Sequence, residues 1–333
     1  MHIAITGASG LVGGNLAEVA RGAGHDVVCI KRGGSRVDHL SHLAVRWADA
    51  DLASTDDLAR ALEGAEIAVH CAAAVVTGTR ADDTMRRTNV DGTRHVIDAC
   101  RRAGVRRLVH VSTVAAIGVG DGTRDVTEDD AFDLRAHGML DGYAETKRAA
   151  QDLVEAAARA GEIDAVVACP TLMWGPYDAK PSTGRLAVEL ARGRIPGGTP
   201  GTTNIVDVRD VARGLLLCAE KGRTGERYIL GRENLTYQEL FARVAQIGGF
   251  RAPRFLVPRL LAVPMGWGGD LARAIGVDVP LDSMAVRWAY CRGFRFSHAK
   301  AARELGYAPG APDDGIRACI EWLKAHGALA PRP

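Results

Sequence analysis

A chain of 333 residues, 47% hydrophobic and 25% charged, can bury a large core as one large domain or two unequal ones. Its formal net charge of +2 gives no reason to expect nucleic acid or an acidic membrane surface as the main partner. No apolar run reaches the roughly 18 residues of a membrane span.

The N-terminus enters "MHIAITG" directly, without a basic or apolar leader, so no signal peptide is expected. Seven cysteines, Cys29, Cys71, Cys100, Cys169, Cys218, Cys291 and Cys319, are dispersed with no Cys-x-x-Cys pair and no nearby histidine cluster. That pattern points to buried thiols in a reducing, cytoplasmic setting and to no metal site.

Six short runs are strand candidates: "HIAIT" (2–6), "DVVCI" (26–30), "AVRW" (44–47), "IAVHC" (67–71), "RLVHVS" (107–112) and "AVVAC" (165–169). Between them lie helical patterns over 11–23, 55–63, 84–103 and 143–160. The strands read as near-continuous apolar runs, as parallel strands covered on both faces do. Strands alternating with helices predict βαβ units and an α/β, doubly wound parallel sheet. After Pro170 the rhythm changes. "RGRIPGGTPGTT" (192–203) is dense in glycine and proline, and a helix over 208–222 and a strand over 226–230 follow. A helix within 234–249 has a cap at Asn234 or Thr236, and 313–327 closes the chain as an amphipathic helix. The organisation expected is a dinucleotide-binding domain over 1–170, with 204–230 returning to it. A smaller C-terminal α/β substrate lobe would come from 171–203 and 231–333. The Pro-interrupted "FLVPRLLAVPMGW" (255–267) is expected to pack inside that lobe.

"ITGASGLVGGNLAEVA" places glycines at 7, 10 and 13 directly after the first strand and at the opening of the first helix. A glycine-rich strand-to-helix turn lets backbone approach a pyrophosphate, whose charge then sits at the helix N-terminus. The spacing is G-x-x-G-x-x-G rather than G-x-G-x-x-G, but the strand before it and the helix after it are the context the motif requires. Candidate contacts are Gly7, Ser9, Gly10, Leu11 and Val12. An acid at the end of the second strand would bind the adenosine ribose and repel a 2′-phosphate. Here Lys31 and Arg32 stand at that point, which favours NADP, with NAD the alternative. Asp51 and Leu52, after the third strand, are candidates to flank the adenine.

"GYAETK" (142–147) sets Tyr143 and Lys147 one helical turn apart, on one face. A phenol titrates near 10, and a cation within about 4–6 Å lowers that value toward a working pH.

These landmarks resemble, in order, those of the extended short-chain dehydrogenase/reductase family: TGxxGxxG at 6–13, "HCAAA" (70–74), "TNVDGT" (88–93), "VSTVAAIG" (111–118) and Tyr143-x-x-x-Lys147. The similarity continues through "CPTLMWGP" (169–176), "IVDVRDVA" (205–212) and "GERYILG" (225–231). The chain looks closest to the dihydroflavonol-reductase-like group, which includes hopanoid-associated epimerase-like proteins. The resemblance implies a Rossmann-type fold. It also implies that Tyr143 is the acid–base residue, that Lys147 is its partner and holds the nicotinamide ribose, and that a Ser or Thr follows the fifth strand. Counting back from Gly118 selects Thr113, with Ser112 the alternative. The same comparison places Ala72, Ala73, Asn89, Pro170 and Leu172 at the cofactor.

Relatives that act on nucleotide sugars clamp the diphosphate with arginines. This chain departs from that pattern in "TLMWGPYDAKPS" and "TTNIVDV", although Lys180, Arg185 and Arg209 remain able to take over the role. Thr113, Met173, Trp174 and Tyr177 are candidate substrate contacts, and loss of the clamp pattern together with Leu172, Met173, Trp174 and Tyr177 favours a less charged, partly apolar molecule. Three readings follow: an NADP-dependent reductase of a ketone or aldehyde, a sugar epimerase or dehydratase that retains its NAD, and a dinucleotide-sensing regulator without catalysis. The intact Tyr–Lys pair counts against the third. By resemblance, two copies would pair through the helices at 84–103 and 143–160, where Val96, Ile97 and Val154 supply apolar side chains.

Overall fold

The computed structural model describes residues 1–75, 81–179, 182–277 and 282–329. Ten strands form along them: β1 His2–Thr6, β2 Asp26–Lys31, β3 Arg46–Asp49, β4 Ile67–His70, β5 Arg107–Val111, β6 Ala165–Pro170, β7 Leu172–Trp174, β8 Thr202–Asp207, β9 Arg227–Leu230 and β10 Glu233–Thr236. Seven make a parallel sheet in the order β3-β2-β1-β4-β5-β6-β9. The order in which strands are added reverses between β1 and β4, so a crevice opens beyond their carboxyl ends, where doubly wound sheets bind ligands.

The strands are apolar throughout because both sheet faces are covered. Ile3, Ile5, Val27, Cys29, Ile67 and Val69 fill one face beneath the helices Leu11–Gly22 and Val208–Lys221. Ala4, Val28, Ile30, Ala68 and Leu108 fill the other, beneath Thr55–Ala61, Gly92–Ala103 and Gly142–Arg159. Val96, Ile97 and Val154 belong to that second core and are buried in the single chain, so they present no free apolar face to another copy. All seven cysteines are free thiols. Five are buried, while Cys71 and Cys291 are half-buried.

β10, β8 and β7 form a second, three-stranded sheet, with β10 antiparallel to β8. Periodicity does not predict β8, because four of its six buried residues are polar. Asn204 is satisfied by donating from Nδ2 to Asn234 Oδ1 at 2.8 Å and to the Phe296 carbonyl at 3.3 Å. Thr236 is the cap of the next helix, Tyr237–Gly248, in a capping box with Glu239.

Two helical expectations are revised. The segment 84–103 is not one regular helix: a π-helical stretch, Arg86–Asp91, precedes Gly92–Ala103. The proline-interrupted stretch forms the helix Arg259–Ala274, with Pro264 inside it. Much of its apolar surface faces outward rather than packing.

Candidate active site

The glycine turn lies at the sheet's reversal point, and its three glycines are there for different reasons. Gly7 has φ +69°, and a Cβ on it would fall 2.6 Å from the Ala72 backbone nitrogen. Gly13 lies so close to the turn that a Cβ would fall 2.5 Å from the Gly7 carbonyl. These two let the β1 turn press against the β4 loop and the first helix. Gly10, by contrast, is exposed and is that helix's N-cap, with no capping side chain. The first amides of a helix have no intrahelical acceptors, so those of Leu11 and Val12 suit an anion. A pyrophosphate-bearing dinucleotide fits this cradle. Ser9 packs beside it, with His39 held at its backbone.

β2 ends in two unequal cations. Lys31 Nζ lies 2.6 Å from Asp49 Oδ1, so its charge is already answered. Arg32 is exposed and has no ion pair or side-chain hydrogen bond among the described residues. Asp51 turns its carboxylate back to the Ala53 amide at 3.0 Å, and the Leu52 carbonyl accepts from His95 Nδ1 at 2.7 Å.

The loop after β4 is fastened by Asn89. Its Oδ1 accepts from the Ala74 amide at 2.7 Å, while Nδ2 donates to the Ala74 carbonyl and to Thr146 Oγ1, both at 3.0 Å. With its amide spent in this way and its side chain buried, Asn89 shapes the Ala72–Ala74 loop and has no group left over for a ligand. The π-helical stretch is what turns Asn89 inward, a common use of such bulges at functional sites.

Adjacent residues after β5 point opposite ways. Ser112 is buried and donates to Gln151 Oε1 at 2.7 Å, so it is not available as the active hydroxyl. Thr113 is half-buried, and its hydroxyl bonds the Tyr143 phenol. Tyr143 stands in the first turn of Gly142–Arg159, which is capped by Asp141 accepting from the Ala144 amide at 2.7 Å. Burial pushes the phenol up to about 12. The Thr113 bond pulls it down and the Asp141 charge raises it further. The expected lowering by Lys147 is not seen here, because Lys147 Nζ is drawn away to donate to the Val111 carbonyl at 2.8 Å. Burial takes Lys147 itself down to about 8.

Two histidines that sequence reasoning passed over lie beneath Lys147. His70 and His110 are paired across β4 and β5, with ring centroids 5.4 Å apart. Thr93 donates to the Asn89 carbonyl at 2.7 Å, so it accepts from His70 Nε2 at 3.1 Å, and His70 Nδ1 accepts from Thr6 Oγ1 at 2.7 Å. Burial, reinforced by Lys147, lowers His70 to about 3 and drives His110 down as well, so both are neutral. Their signal was the matched "VH" that precedes each of two strand ends.

Pro170, the last residue of β6, is buried, and Leu172 and Met173 keep partial exposure. Trp174 has no exposed surface and belongs to the core formed with Ile205, Leu240 and Ile316. Tyr177 is also buried, donating to Glu18 Oε2 at 3.1 Å and lying 3.0 Å from His42 Nε2. Neither side chain presents a surface to a substrate. Arg209 is paired with Asp207 at 2.6 Å, Arg185 sits in the helix Gly184–Ala191, and Lys180 lies outside the described residues.

A doubly wound parallel sheet, a glycine cradle at its reversal point and a Thr–Tyr–Lys set beside it define a nicotinamide-dinucleotide oxidoreductase. The chain belongs to the NAD dependent epimerase/dehydratase family, whose model matches residues 3–231. It is 32% identical to a Synechocystis sp. protein provisionally named dihydroflavonol 4-reductase, over 97% of this chain and 94% of that one. It is 28% identical to sterol demethylase protein B of Methylococcus capsulatus, over 99% and 100%. The crystal structure of gox2253 superposes with a TM-score of 0.85 at 32% identity, covering 98% of both chains. The protein is an NAD(P)-dependent oxidoreductase of the extended short-chain dehydrogenase/reductase type.

Proposed function

We propose that the protein reduces a ketone or aldehyde on a partly apolar scaffold with NADP(H), and oxidises the corresponding alcohol in reverse. The observation that carries the cofactor is Arg32, a free cation immediately after β2, where an NAD enzyme would place an acid. A reductant that arrives and leaves each turnover suits net reduction, whereas an epimerase keeps its NAD. The relatives named for dihydroflavonol reduction and sterol demethylation support a substrate of low charge.

In this reading Gly7, Ser9, Gly10, Leu11 and Val12 hold the pyrophosphate, Arg32 the 2′-phosphate, and Asp51 and Leu52 flank the adenine. Ala72, Ala73, Pro170 and Leu172 line the nicotinamide end. The three-stranded sheet and the helices after it bound the substrate, with Met173 at its edge. The bound nicotinamide supplies the hydride. The chain's own residues handle the proton. Tyr143, protonated at neutral pH, gives its phenolic proton to the substrate oxygen as negative charge develops there. Thr113 turns its hydroxyl toward the same oxygen and fixes its position. Lys147, whose Nζ is held by the Val111 carbonyl, would take the nicotinamide ribose hydroxyls.

The experiment is to titrate the protein with NADPH and NADH separately and then screen carbonyl compounds. Tighter NADPH binding and a turnover abolished in Tyr143→Phe, with NADPH affinity retained, are expected. NAD retained through purification would instead favour the epimerase.

A further inference from the structure

The helix Arg259–Ala274 is built inside out. Its small residues Ala262, Gly266 and Gly269 are the buried ones. A Cβ on Gly266 would fall 3.0 Å from Val286 in the neighbouring helix Ser283–Tyr290, so the close approach needs glycine. The large side chains point the other way. Leu260 is 84% exposed, Trp267 64%, Leu271 68% and Ile275 75%, at steps of seven, four and four residues that place them on one face. Leu261 and Met265 widen it. Of the ten large hydrophobic side chains exposed among the described residues, nine fall between Phe255 and Val277, so this is one patch rather than scattered exposure.

The charge around the patch is mostly positive. Arg251, Arg254 and Arg259 are exposed, and none has an ion pair among the described residues. Asp270, the sole carboxylate in 251–277, is engaged by the Ser283 amide at 3.2 Å. The near-neutral net charge of the whole chain conceals this local excess. A second copy docking here would set arginines against arginines, with Asp270, already engaged by the Ser283 amide, the one carboxylate of 251–277 to answer them. Anionic headgroups answer them, acyl chains take the leucines, and tryptophan suits the boundary between the two.

We propose that this face docks on an anionic lipid bilayer, with the helix lying in the plane of the interface. The surface is coupled to the catalytic helix by a short path. From Ser283–Tyr290, Arg287 donates to the Gly138 carbonyl at 2.7 Å, and Trp288 bonds Asp141, the cap of the helix that carries Tyr143. One helix therefore separates the lipid-facing surface from the loop that leads into the site. The proposal stands whichever substrate is reduced.

The test is co-sedimentation of the full chain with vesicles of phosphatidylcholine, with and without phosphatidylglycerol. Binding is expected only with the anionic lipid, weakening with salt and about fivefold for each of Arg251, Arg254 and Arg259 changed to Ser. A Leu260→Ser/Trp267→Ser/Leu271→Ser variant, confirmed as folded by unchanged NADPH affinity, is expected to stay in the supernatant. Brominated lipid should quench a fluorescence component that Trp267→Phe removes. A wild-type chain that never sediments with vesicles overturns the proposal, as does quenching identical in Trp267→Phe. A stable dimer in solution that the triple variant dissociates would assign the face to a second copy and overturn it too.

Discussion

Ser112 donates its hydroxyl to Gln151 Oε1 at 2.7 Å, while its neighbour Thr113 directs its own hydroxyl to the Tyr143 phenol. The two residues share a chain position within 3.8 Å or so of Cα travel, yet one serves the interior and the other the site.

Exchanging them in turn separates catalysis from stability. Thr113→Val keeps the shape and removes the hydroxyl, and is expected to lower kcat/KM about 100-fold with little change in melting. Ser112→Ala is expected to spare kcat/KM and cost about 1–3 kcal/mol, because Gln151 loses a buried partner. Steady-state kinetics beside urea unfolding reads both. A larger kinetic loss in Ser112→Ala would return the active role to the serine.

Lys147 should leave a signature in the pH dependence of stability. Burial takes it from 10.5 to about 8, so between those values the unfolded chain binds a proton that the folded chain has released. Stability contributed by this group therefore rises with pH through that window. Against Lys147→Met, the wild type is expected to gain about 2 kcal/mol between pH 8 and 9.5 in urea unfolding. Tyr143 acts in the opposite sense at higher pH. Raised from 10 to about 12, it holds its proton in the folded chain after the unfolded one has lost it, so its contribution falls as pH climbs above 10.

The two cations after β2 should differ in their response. Arg32→Ser is expected to weaken NADPH binding roughly tenfold or more and to leave NADH binding nearly unchanged. Lys31→Ser should do less, because Asp49 already neutralises that charge at 2.6 Å. Asp49→Asn frees Lys31 and should tighten NADPH. Equal losses of NADPH and NADH in Arg32→Ser would remove the basis for the NADP assignment.

Asn89→Ala releases the Ala74 amide and carbonyl together. The expected result is a stability loss of about 2 kcal/mol and weaker binding of both dinucleotides, read by unfolding and titration. Weaker binding of one dinucleotide alone would mean that Asn89 acts by more than holding the loop.

Much of this architecture was legible along the chain because it is written in local signals. Apolar runs alternating with helical periods mark strands covered on both faces, and they placed β1, β2, β4, β5, β6 and β9 to within a residue or two. β3 is shifted two residues along because Ala44 and Val45 look like strand but precede it. β8 was hidden because its buried threonines and asparagine look like loop until partners 30 and 92 residues away satisfy Asn204.

The sequence by itself determined the doubly wound frame, the glycine cradle and the one-turn spacing of Tyr143 and Lys147, because each depends on residues within a few positions of one another. Only the tertiary structure decided how those parts are used. It turned Ser112 inward and Thr113 toward the phenol, and spent Lys31 on Asp49 and Asn89 on Ala74. It buried Trp174, and it faced Leu260, Trp267 and Leu271 outward. Each of those outcomes depends on which polar group or packing surface lies opposite in space, and one-dimensional spacing does not carry that information.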